Sequence, residues 1–409
     1  MRGYLPLSTM LFLATPAMAE PLTFDQALAR ANRDAPSIAG RAAQSDAARS
    51  GAIAADRLPD PKLEIRLTDF PVTGPNAGTI NRDDFTERDI GFSQEIPNLA
   101  KRHARAGRAQ ADIVAADAET IAERRRVRIA AALAWIDSFY AERRLAILHG
   151  LEQRIAELAA TAPARLASGK IRPAEAIEPA KLKAELDDRR SDLQAALAAA
   201  RAGLTRWTSE ANPEISGDLP IFSVDGAQLR ASIALLPSLR IKDAAIGQAS
   251  ANVQLAQADK RPDWEITATF GSRAPRFGDF ASLGVKIDLP FFAKKRQDPI
   301  IAARASERDR ARLERADAER EAVAQLEGDL AGHEAHHNRF VRAQTTLLPL
   351  ARQRAELDRA SYAAGRIDLG TTQQSAIALA EAEIDLLDRE ADVVRDGARI
   401  TLTYEGDRP

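Results

Sequence analysis

An internal duplication constrains the fold of this chain more than any other feature of its sequence. The same landmarks recur in the same order in both halves, roughly 200 residues apart. They are a Pro-Ser pair, a Pro-Asp pair, an apolar residue before a proline, and a glycine that ends a long helical stretch. The corresponding positions are Pro36 and Pro237, Pro59 and Pro262, Pro97 and Pro290, and Gly169 and Gly365. We therefore predict two copies of one structural plan, over residues 20–211 and 212–409.

Long stretches with almost no helix-breaking residues dominate both copies. They are rich in Ala, Arg, Glu, Asp and Leu, a composition that favours long helices. The predicted helices cover about 98–168, 174–208, 291–364 and 370–403. A helix of about 65 residues is about 100 Å long at 1.5 Å per residue. No globular domain requires such a length, so helices laid side by side in a large cylinder are expected.

Four shorter stretches alternate apolar and polar residues, which predicts strands with one apolar face. They cover about 62–70, 87–96, 263–272 and 281–289. About ten residues is the length that a tilted strand needs to cross a bilayer. A soluble hairpin packed on helices would show the same alternation, so the strands alone leave both interpretations open. If they span a membrane, several protomers must pool them, because about eight strands is the smallest closed barrel.

The N-terminal end and the composition restrict the location of the protein. Residues 1–19 have a basic start, an apolar core and an Ala-Met-Ala cleavage site, which predicts a secretory signal peptide. The chain contains no cysteine, so neither disulfides nor lipidation at the cleavage site is expected. A net charge of −2 gives no indication of nucleic-acid binding.

These features together resemble the TolC family of outer-membrane efflux channels. The opening segment, residues 21–28, and the segment around the second glycine, residues 362–369, are similar to the family's own. The phrases at residues 92–97 and 287–292 look closest to its heavy-metal (CzcC-type) branch. The resemblance covers nearly all of the mature chain. It rests on the order and duplication of the motifs rather than on any single one of them.

The resemblance implies an α+β membrane protein of the outer membrane of a Gram-negative bacterium. Three subunits would each give four strands to one twelve-stranded barrel, which an α-helical barrel extends across the periplasm. The homotrimer would contact outer-membrane lipid, dock on a periplasmic adaptor protein, and through it serve an inner-membrane pump of the resistance-nodulation-division type. Such a channel is not an enzyme, carries no cofactor and exports passively. Heavy-metal cations are the expected cargo, and drug efflux and type I protein secretion are the alternatives.

The resemblance also assigns residues at the two turns where the long helices reverse. Family members dock the adaptor through these tips, and the positions that match are Ser168, Gly169, Lys170, Ile171, Ala364, Gly365, Arg366 and Ile367. In the best-known members acidic residues narrow the tunnel six and nine positions after the second glycine. This chain has Thr371 and Gln374 there, and Glu175 and Glu178 in the first copy. Together with Asp368 these are only candidates for the aperture.

A histidine cluster suggests a competing function. His333, Glu334 and His337 form H-E-x-x-H, a pattern typical of zinc peptidases. A catalytic zinc site needs a third protein ligand, and Glu356 would lie about 28 Å from His337 along one helix. We therefore predict no catalytic metal site, and regard His333, His336 and His337 only as weak candidates for contact with metal.

A periplasmic coiled-coil scaffold without membrane strands is the remaining hypothesis for the whole chain.

A basic cluster follows the predicted strands in each copy. The first contains Lys101, Arg102, His103, Arg105 and Arg108, and the second contains Lys294, Lys295 and Arg296. Such a cluster either meets lipid headgroups at the membrane surface or is a solvated helix face.

Overall fold

The structure is a computed structural model that describes residues 21–169, 172–173 and 177–405. The predicted signal peptide and the site candidates Lys170, Ile171 and Glu175 lie outside the described residues. The helices are α1 (Phe24–Asp34), α2 (Pro36–Ala52), α3 (Leu99–Ala167), α4 (Glu178–Thr208), α5 (Gly226–Ser232), α6 (Pro237–Ala258), α7 (Gln297–Arg342), α8 (Leu348–Ala363) and α9 (Leu369–Tyr404). The strands are β1 (Lys62–Thr68), β2 (Glu87–Ile96), β3 (Asp263–Ser272) and β4 (Phe280–Asp288).

The chain divides into two compact units, each built from both halves of the sequence. The first contains the described residues of Met1–Ala35, Arg126–Asp225 and Gly328–Thr403. The second contains those of Pro36–Arg125, Gly226–Glu327 and Tyr404–Pro409. Within the described residues, no helix has both the length and the apolarity that a membrane span requires.

The core of the first unit forms around α1 and the middle of α3. Trp135 is fully buried, and its ring lies edge-on to Phe24 with centroids 5.5 Å apart. Its indole N–H donates to the backbone oxygen of Leu22 at 2.9 Å, so the buried polar atom is satisfied. Thr23 caps α1 in a reciprocal capping box with Gln26, which explains why the Leu-Thr-Phe-Asp-Gln sequence starts a helix.

A second apolar cluster of the first unit lies where α3, α4 and α9 meet. Its buried residues are Leu148, Leu151, Ile155, Leu182, Leu186 and Ala380. Leu182, Leu186 and the partly buried Leu193 belong to the series of leucines spaced four and seven apart along α4. This spacing keeps the leucines on one face of the helix.

The second unit contains one antiparallel sheet in the order β1-β2-β3-β4. Each copy of the sequence supplies one hairpin, and the central β2–β3 pairing joins the two copies. Gly271 in β3 lies opposite Phe280, and a Cβ at this position would overlap the Phe280 ring. Elsewhere in the unit, Arg49 of α2 holds Asp117 of α3 at 2.7 Å.

The helix predicted from residue 291 differs from its prediction at two places. It begins at Gln297, because residues 291–296 form turns instead. A π-helical turn at Ala343–Leu347 then separates α7 from α8, whose second residue is Pro349. Proline lacks an N–H, and its ring collides with the carbonyl four residues earlier. A π turn moves that carbonyl aside, so the helical path continues past the proline.

Candidate functional site

The four-stranded sheet of the second unit exposes an apolar face. Leu63 and Ile65 of β1 are 63% and 79% exposed, and Leu283 and Val285 of β4 are 87% and 62% exposed. Exposed apolar residues on the other two strands are Ile90, Phe92, Trp264, Ile266 and Phe270. In a soluble protein an antiparallel sheet packs its apolar face on the core and exposes its polar face to water. In this sheet the apolar face is exposed instead.

The strand register gathers these apolar residues on one side. Phe92 pairs with Leu63 and Ala268, and Trp264 pairs with Ile96 and Ile287. Directly paired residues point to the same side of a sheet, and their Cβ atoms lie about 5 Å apart. The alternation found in each strand therefore becomes one continuous apolar surface.

The opposite side of the sheet carries charges that neutralise one another across the strands. Glu95 and Glu265 face each other in register, and a lysine flanks each of them. Lys62 lies 2.5 Å from Glu95, and Lys286 lies 3.2 Å from Glu265. This row of four charges crosses all four strands, so the sheet has one polar and one apolar side.

Both edges of the sheet are open in the described chain. In the strand order, β1 pairs only with β2 and β4 pairs only with β3. An open edge presents a row of unpaired backbone N–H and C=O groups, which is a template for pairing with another chain. The sheet is thus apolar on one side and unpaired at both edges.

A partly buried polar junction holds the start of α3 to β3. Asp263 accepts hydrogen bonds from the backbone N–H of Asn98 at 2.8 Å and from its side-chain amide at 2.9 Å. Lys101 Nζ lies 2.7 Å from Asp263 and 2.8 Å from Asp259. Burial lowers the pKa of Lys101, but the hydrogen bonds to Asp259 and Asp263 outweigh it and raise the pKa overall. Lys101 is therefore a structural cation and not part of a solvated basic face.

The second hairpin tip, between α8 and α9 in the first unit, is a Schellman turn. Arg366 N–H donates to Ser361 O at 2.9 Å, and Gly365 N–H donates to Tyr362 O at 3.0 Å. Gly365 has a φ of 71°, a left-handed conformation that glycine adopts without strain. Ala364, Gly365 and Arg366 are exposed, and Ile367 is half-buried. The predicted docking residues of this tip thus form one accessible turn.

Asp368 follows this tip and caps α9. Its carboxylate accepts a hydrogen bond from the backbone N–H of Thr371 at 2.6 Å. That bond lowers the pKa of Asp368, so the side chain stays charged at the positive end of the helix. Of the aperture candidates, Thr371 is therefore engaged with the cap, whereas Gln374 is exposed.

The first tip is described only in part. Gly169 has a φ of 73°, matching Gly365, and its N–H donates to Leu166 O at 3.0 Å. Ser168 and Gly169 are exposed, and Glu178 is the exposed first residue of α4. Both tips belong to the first unit, and each reverses the chain at a left-handed glycine.

The histidine cluster lies on α7 in the first unit, without the geometry of a zinc site. His333 is half-buried, and His337 and Glu334 are exposed. His336 Nδ1 lies 2.7 Å from Asp396 Oδ2 of α9. Across the described chain, no group of three or more His, Cys, Asp or Glu side chains is placed to hold a metal ion.

Sequence reasoning missed the partners of several of these residues. It did not find the Asp263–Lys101 junction or the His336–Asp396 pair, since each joins residues far apart in the chain. One signal was available for the histidines, because Asp329, His333 and His336 share a helix face at i, i+4 and i+7. The Asp368 cap was also visible as an aspartate directly before a helix.

Comparison with known proteins identifies the fold. No protein-family model matches the sequence, and no curated protein sequence matches it. Solved structures do match over 94% of the chain. A structure of CusC, from work on its folding and transmembrane channel formation, has a TM-score of 0.79 at 13% identity and is covered over 92% of its length.

Two further structures give the same result. The CmeC outer membrane channel of Campylobacter jejuni has a TM-score of 0.78 at 11% identity, with 94% of this chain and 85% of that chain covered. The outer membrane protein VceC from Vibrio cholerae has a TM-score of 0.72 at 17% identity, with 94% and 96% covered. The predicted resemblance is thus confirmed at the level of a TolC-like fold. These similarities do not single out the heavy-metal branch.

Proposed function

We propose that this protein is a passive exit duct in the outer membrane of a Gram-negative bacterium, serving a tripartite efflux system. The observation that carries this proposal is the sheet with one exposed apolar face and two open edges. An exposed apolar face is stable against lipid but not against water, and the open edges must pair with further strands before the sheet can enter lipid. The TolC-like fold supports the same function, since the matched structures include outer-membrane channels.

Membrane insertion is tested by fractionation of cells that express the full chain. We expect the protein in the outer-membrane fraction, extractable only with detergent and migrating differently on gels before and after heating. Release by osmotic shock alone would contradict the proposal and favour the periplasmic scaffold. A known periplasmic protein and a known outer-membrane protein serve as the two controls.

The open edges lead to the proposed trimer. An unpaired strand edge is not tolerated in lipid, so β1 of one subunit would pair with β4 of the next. Three copies of four strands then close a twelve-stranded barrel, which lies within the observed range of sizes. The long helices would extend the duct into the periplasm.

The absence of native cysteine makes this pairing testable by disulfide trapping. Glu64→Cys in β1 should be combined in turn with Ser282→Cys, Lys286→Cys and Asp288→Cys in β4, which all face the polar side. Since β1 and β4 are opposite edges of the sheet, a disulfide between them must join two subunits. We expect one combination to give a covalent trimer on a non-reducing gel, and each single variant to give none. Failure of every combination would contradict the strand-pooled trimer.

The remaining assignments concern the partners and the cargo. We propose that the two tips, at Ser168–Ile171 and Ala364–Ile367, dock a periplasmic adaptor of a resistance-nodulation-division pump. The cargo proposed is heavy-metal cations, on the strength of the phrases at residues 92–97 and 287–292. Deletion of the gene should lower tolerance to zinc, cobalt, cadmium or copper. Sensitivity to organic toxicants alone would reassign the duct to drug efflux, and loss of an exported protein would reassign it to type I secretion.

A further inference from the structure

The two strand-to-helix connections of the sheet differ, although the sequence copies that form them correspond. After β2 the helix begins almost at once, since β2 ends at Ile96 and α3 starts at Leu99. After β4, which ends at Asp288, residues 289–296 intervene before α7 starts at Gln297. We call residues 289–296 the β4–α7 segment. It holds two consecutive aromatic residues, Phe291 and Phe292, which are 79% and 69% exposed.

The apolar face of the sheet continues into this segment. Alternate residues of β4, namely Leu283, Val285 and Ile287, are exposed on the apolar side. The same alternation in the sequence reaches Leu289 and Phe291, which are also exposed. Along the chain, the exposed apolar residues of β4 are therefore followed by exposed aromatic rings. Aromatic rings at the end of an apolar strand are typical of the boundary between hydrocarbon and water.

Three cations follow the aromatic residues after a single alanine, Ala293. Lys294, Lys295 and Arg296 are exposed, and their side chains make no hydrogen bond or ion pair within the described chain. The nearby Asp298 is engaged with Lys260 at 2.7 Å. In the first copy, by contrast, Lys101 is held by two aspartates. Of the two strand-to-helix connections, both of which lie within the described residues, the second combines exposed rings with uncompensated positive charge, whereas Pro97 and Asn98 of the first supply no ring.

The backbone of the β4–α7 segment is ordered by its own hydrogen bonds. Lys295 and Arg296 N–H both donate to Phe292 O, at 2.9 and 3.1 Å, and Asp298 N–H donates to Ala293 O at 2.9 Å. The three cations thus extend from a turn that is hydrogen-bonded within itself. A ligand that binds them does not have to order the backbone first.

We infer that the β4–α7 segment binds the phosphate headgroups of anionic phospholipid at the membrane surface. This inference rests on the proposed function, since it requires β4 to lie in a bilayer. The order of groups along the chain then matches the order of layers in the bilayer: aliphatic side chains for the hydrocarbon, aromatic rings for its boundary, and cations for the headgroups. Lysine and arginine stems reach along apolar surface while their charged ends contact the phosphates.

Native mass spectrometry of the full-length protein in an uncharged detergent provides the test, with added phosphatidylglycerol or phosphatidylcholine. The test variant is K294Q/K295Q/R296Q. The control variant is K183Q/R320Q/R359Q, which removes the same charge from exposed helical positions that also lack ion pairs. The test variant should bind phosphatidylglycerol about 10- to 100-fold more weakly at low salt, because each cation near an anionic surface contributes separately. Phosphatidylcholine binding should not change.

Two further comparisons make the result decisive. The wild-type preference for phosphatidylglycerol should fade at high salt, because salt screens exposed charges. The variant F291S/F292S should weaken the binding of both lipids equally, because ring contacts do not depend on headgroup charge. Equal phosphatidylglycerol binding by wild type and test variant would overturn the inference, as would loss of the oligomer in the test variant, which would make the segment a protein contact. If fractionation first shows that wild type is not in a membrane, the proposed function fails instead.

Discussion

His336 Nδ1 lies 2.7 Å from Asp396 Oδ2 and so connects α7 to α9 within the first unit. The pair belongs to a longer polar row. Arg399 of α9 lies 3.4 Å from Asp396 of the same helix and 2.8 Å from the buried Asp329 of α7, so the second contact again joins the two helices. The groups therefore satisfy one another, and the histidine of the pair acts as a helix-to-helix contact. This arrangement gives a structural role to His336, which lies within the H-E-x-x-H stretch but at one of its variable positions.

The neighbouring His333 should make stability depend on pH. Burial lowers its pKa below the ordinary value of 6.5. The charge of Asp396 opposes this shift, and the charges of His337 and His336 add to it, all with smaller effects than burial. The neutral form is thus favoured in the folded state. The free energy of unfolding should be unaffected by His333 above about pH 6.5. Below that pH it should decrease, because the histidine of the unfolded chain binds a proton more readily than folded His333 does.

Thermal unfolding between neutral and mildly acidic pH measures this effect. The variant His333→Gln should lose less stability than wild type on acidification, because it has no proton to gain at this position. His337→Gln is the matched control, since His337 is exposed on the same helix. It should keep most of the wild-type dependence, because burial and not His337 is the main cause of the shift in the pKa of His333. An unchanged pH slope in His333→Gln would show that the effect arises elsewhere.

The histidine cluster should not be required for metal export. Simultaneous replacement of His333, His336 and His337 by Ala should leave metal tolerance close to that of wild type. The physical reason is that His336 is engaged with Asp396 and that no group of three ligands is placed to hold a metal anywhere in the described chain. Growth of a complemented deletion strain on the exported metal is the measurement. A large loss of tolerance with the oligomer intact would mean that these side chains contact metal in transit.

The regular parts of this fold are predictable because their signals are local. Alternation over ten residues and the scarcity of helix breakers place strands and long helices without any tertiary information. Pro349 signalled a disturbance, but its form, a π turn before the proline, depends on how the helix accommodates a displaced carbonyl. The turns at residues 291–296 were missed, because Phe-Phe-Ala-Lys-Lys-Arg contains no residue that breaks a helix. Pro299, which lies in the first turn of α7, was the available signal that the helix starts near residue 297.

The candidate site was predictable only in its chain reversals. Gly169 and Gly365 follow from the need for a left-handed residue where a long helix ends. Lys101 was interpreted as one of a basic cluster, since the sequence does not show that Asp263 lies beside it across the sheet. The exposed apolar face is likewise a result of register. Each strand predicts an apolar side, but only the pairing of β2 with β3 joins the two hairpins into one surface.

The polar junction that holds the start of α3 to β3 should contribute measurably to the free energy of unfolding. Asp263→Ala removes the acceptor for Asn98 and Lys101 and leaves a partly buried amine with fewer partners. We expect a loss of roughly 1–3 kcal/mol, seen as a lower midpoint of thermal unfolding in detergent. Asp288→Ala is the matched control, because Asp288 pairs with Asp263 in the strand register but is exposed. Similar losses in the two variants would mean that the junction contributes nothing of its own.

The left-handed glycine of the second tip should be needed for the shape of the turn. A Cβ at Gly365 would meet no atom within 4 Å, so a substitution acts through the backbone conformation alone. Gly365→Val should destabilise the turn by about 1–2 kcal/mol, and Gly365→Asn by less, because asparagine tolerates positive φ. Gly328→Ala is the control, since Gly328 lies in helical α7 with the same open space, and it should stabilise by roughly 0.5–1 kcal/mol. Hydrogen exchange of residues 361–372 reports the local opening. Equal hydrogen-exchange protection of these amides in the valine and asparagine variants would show that the positive φ does not determine the turn. If only the valine variant loses protection and also lowers efflux with the oligomer intact, the adaptor requires the shape of this tip.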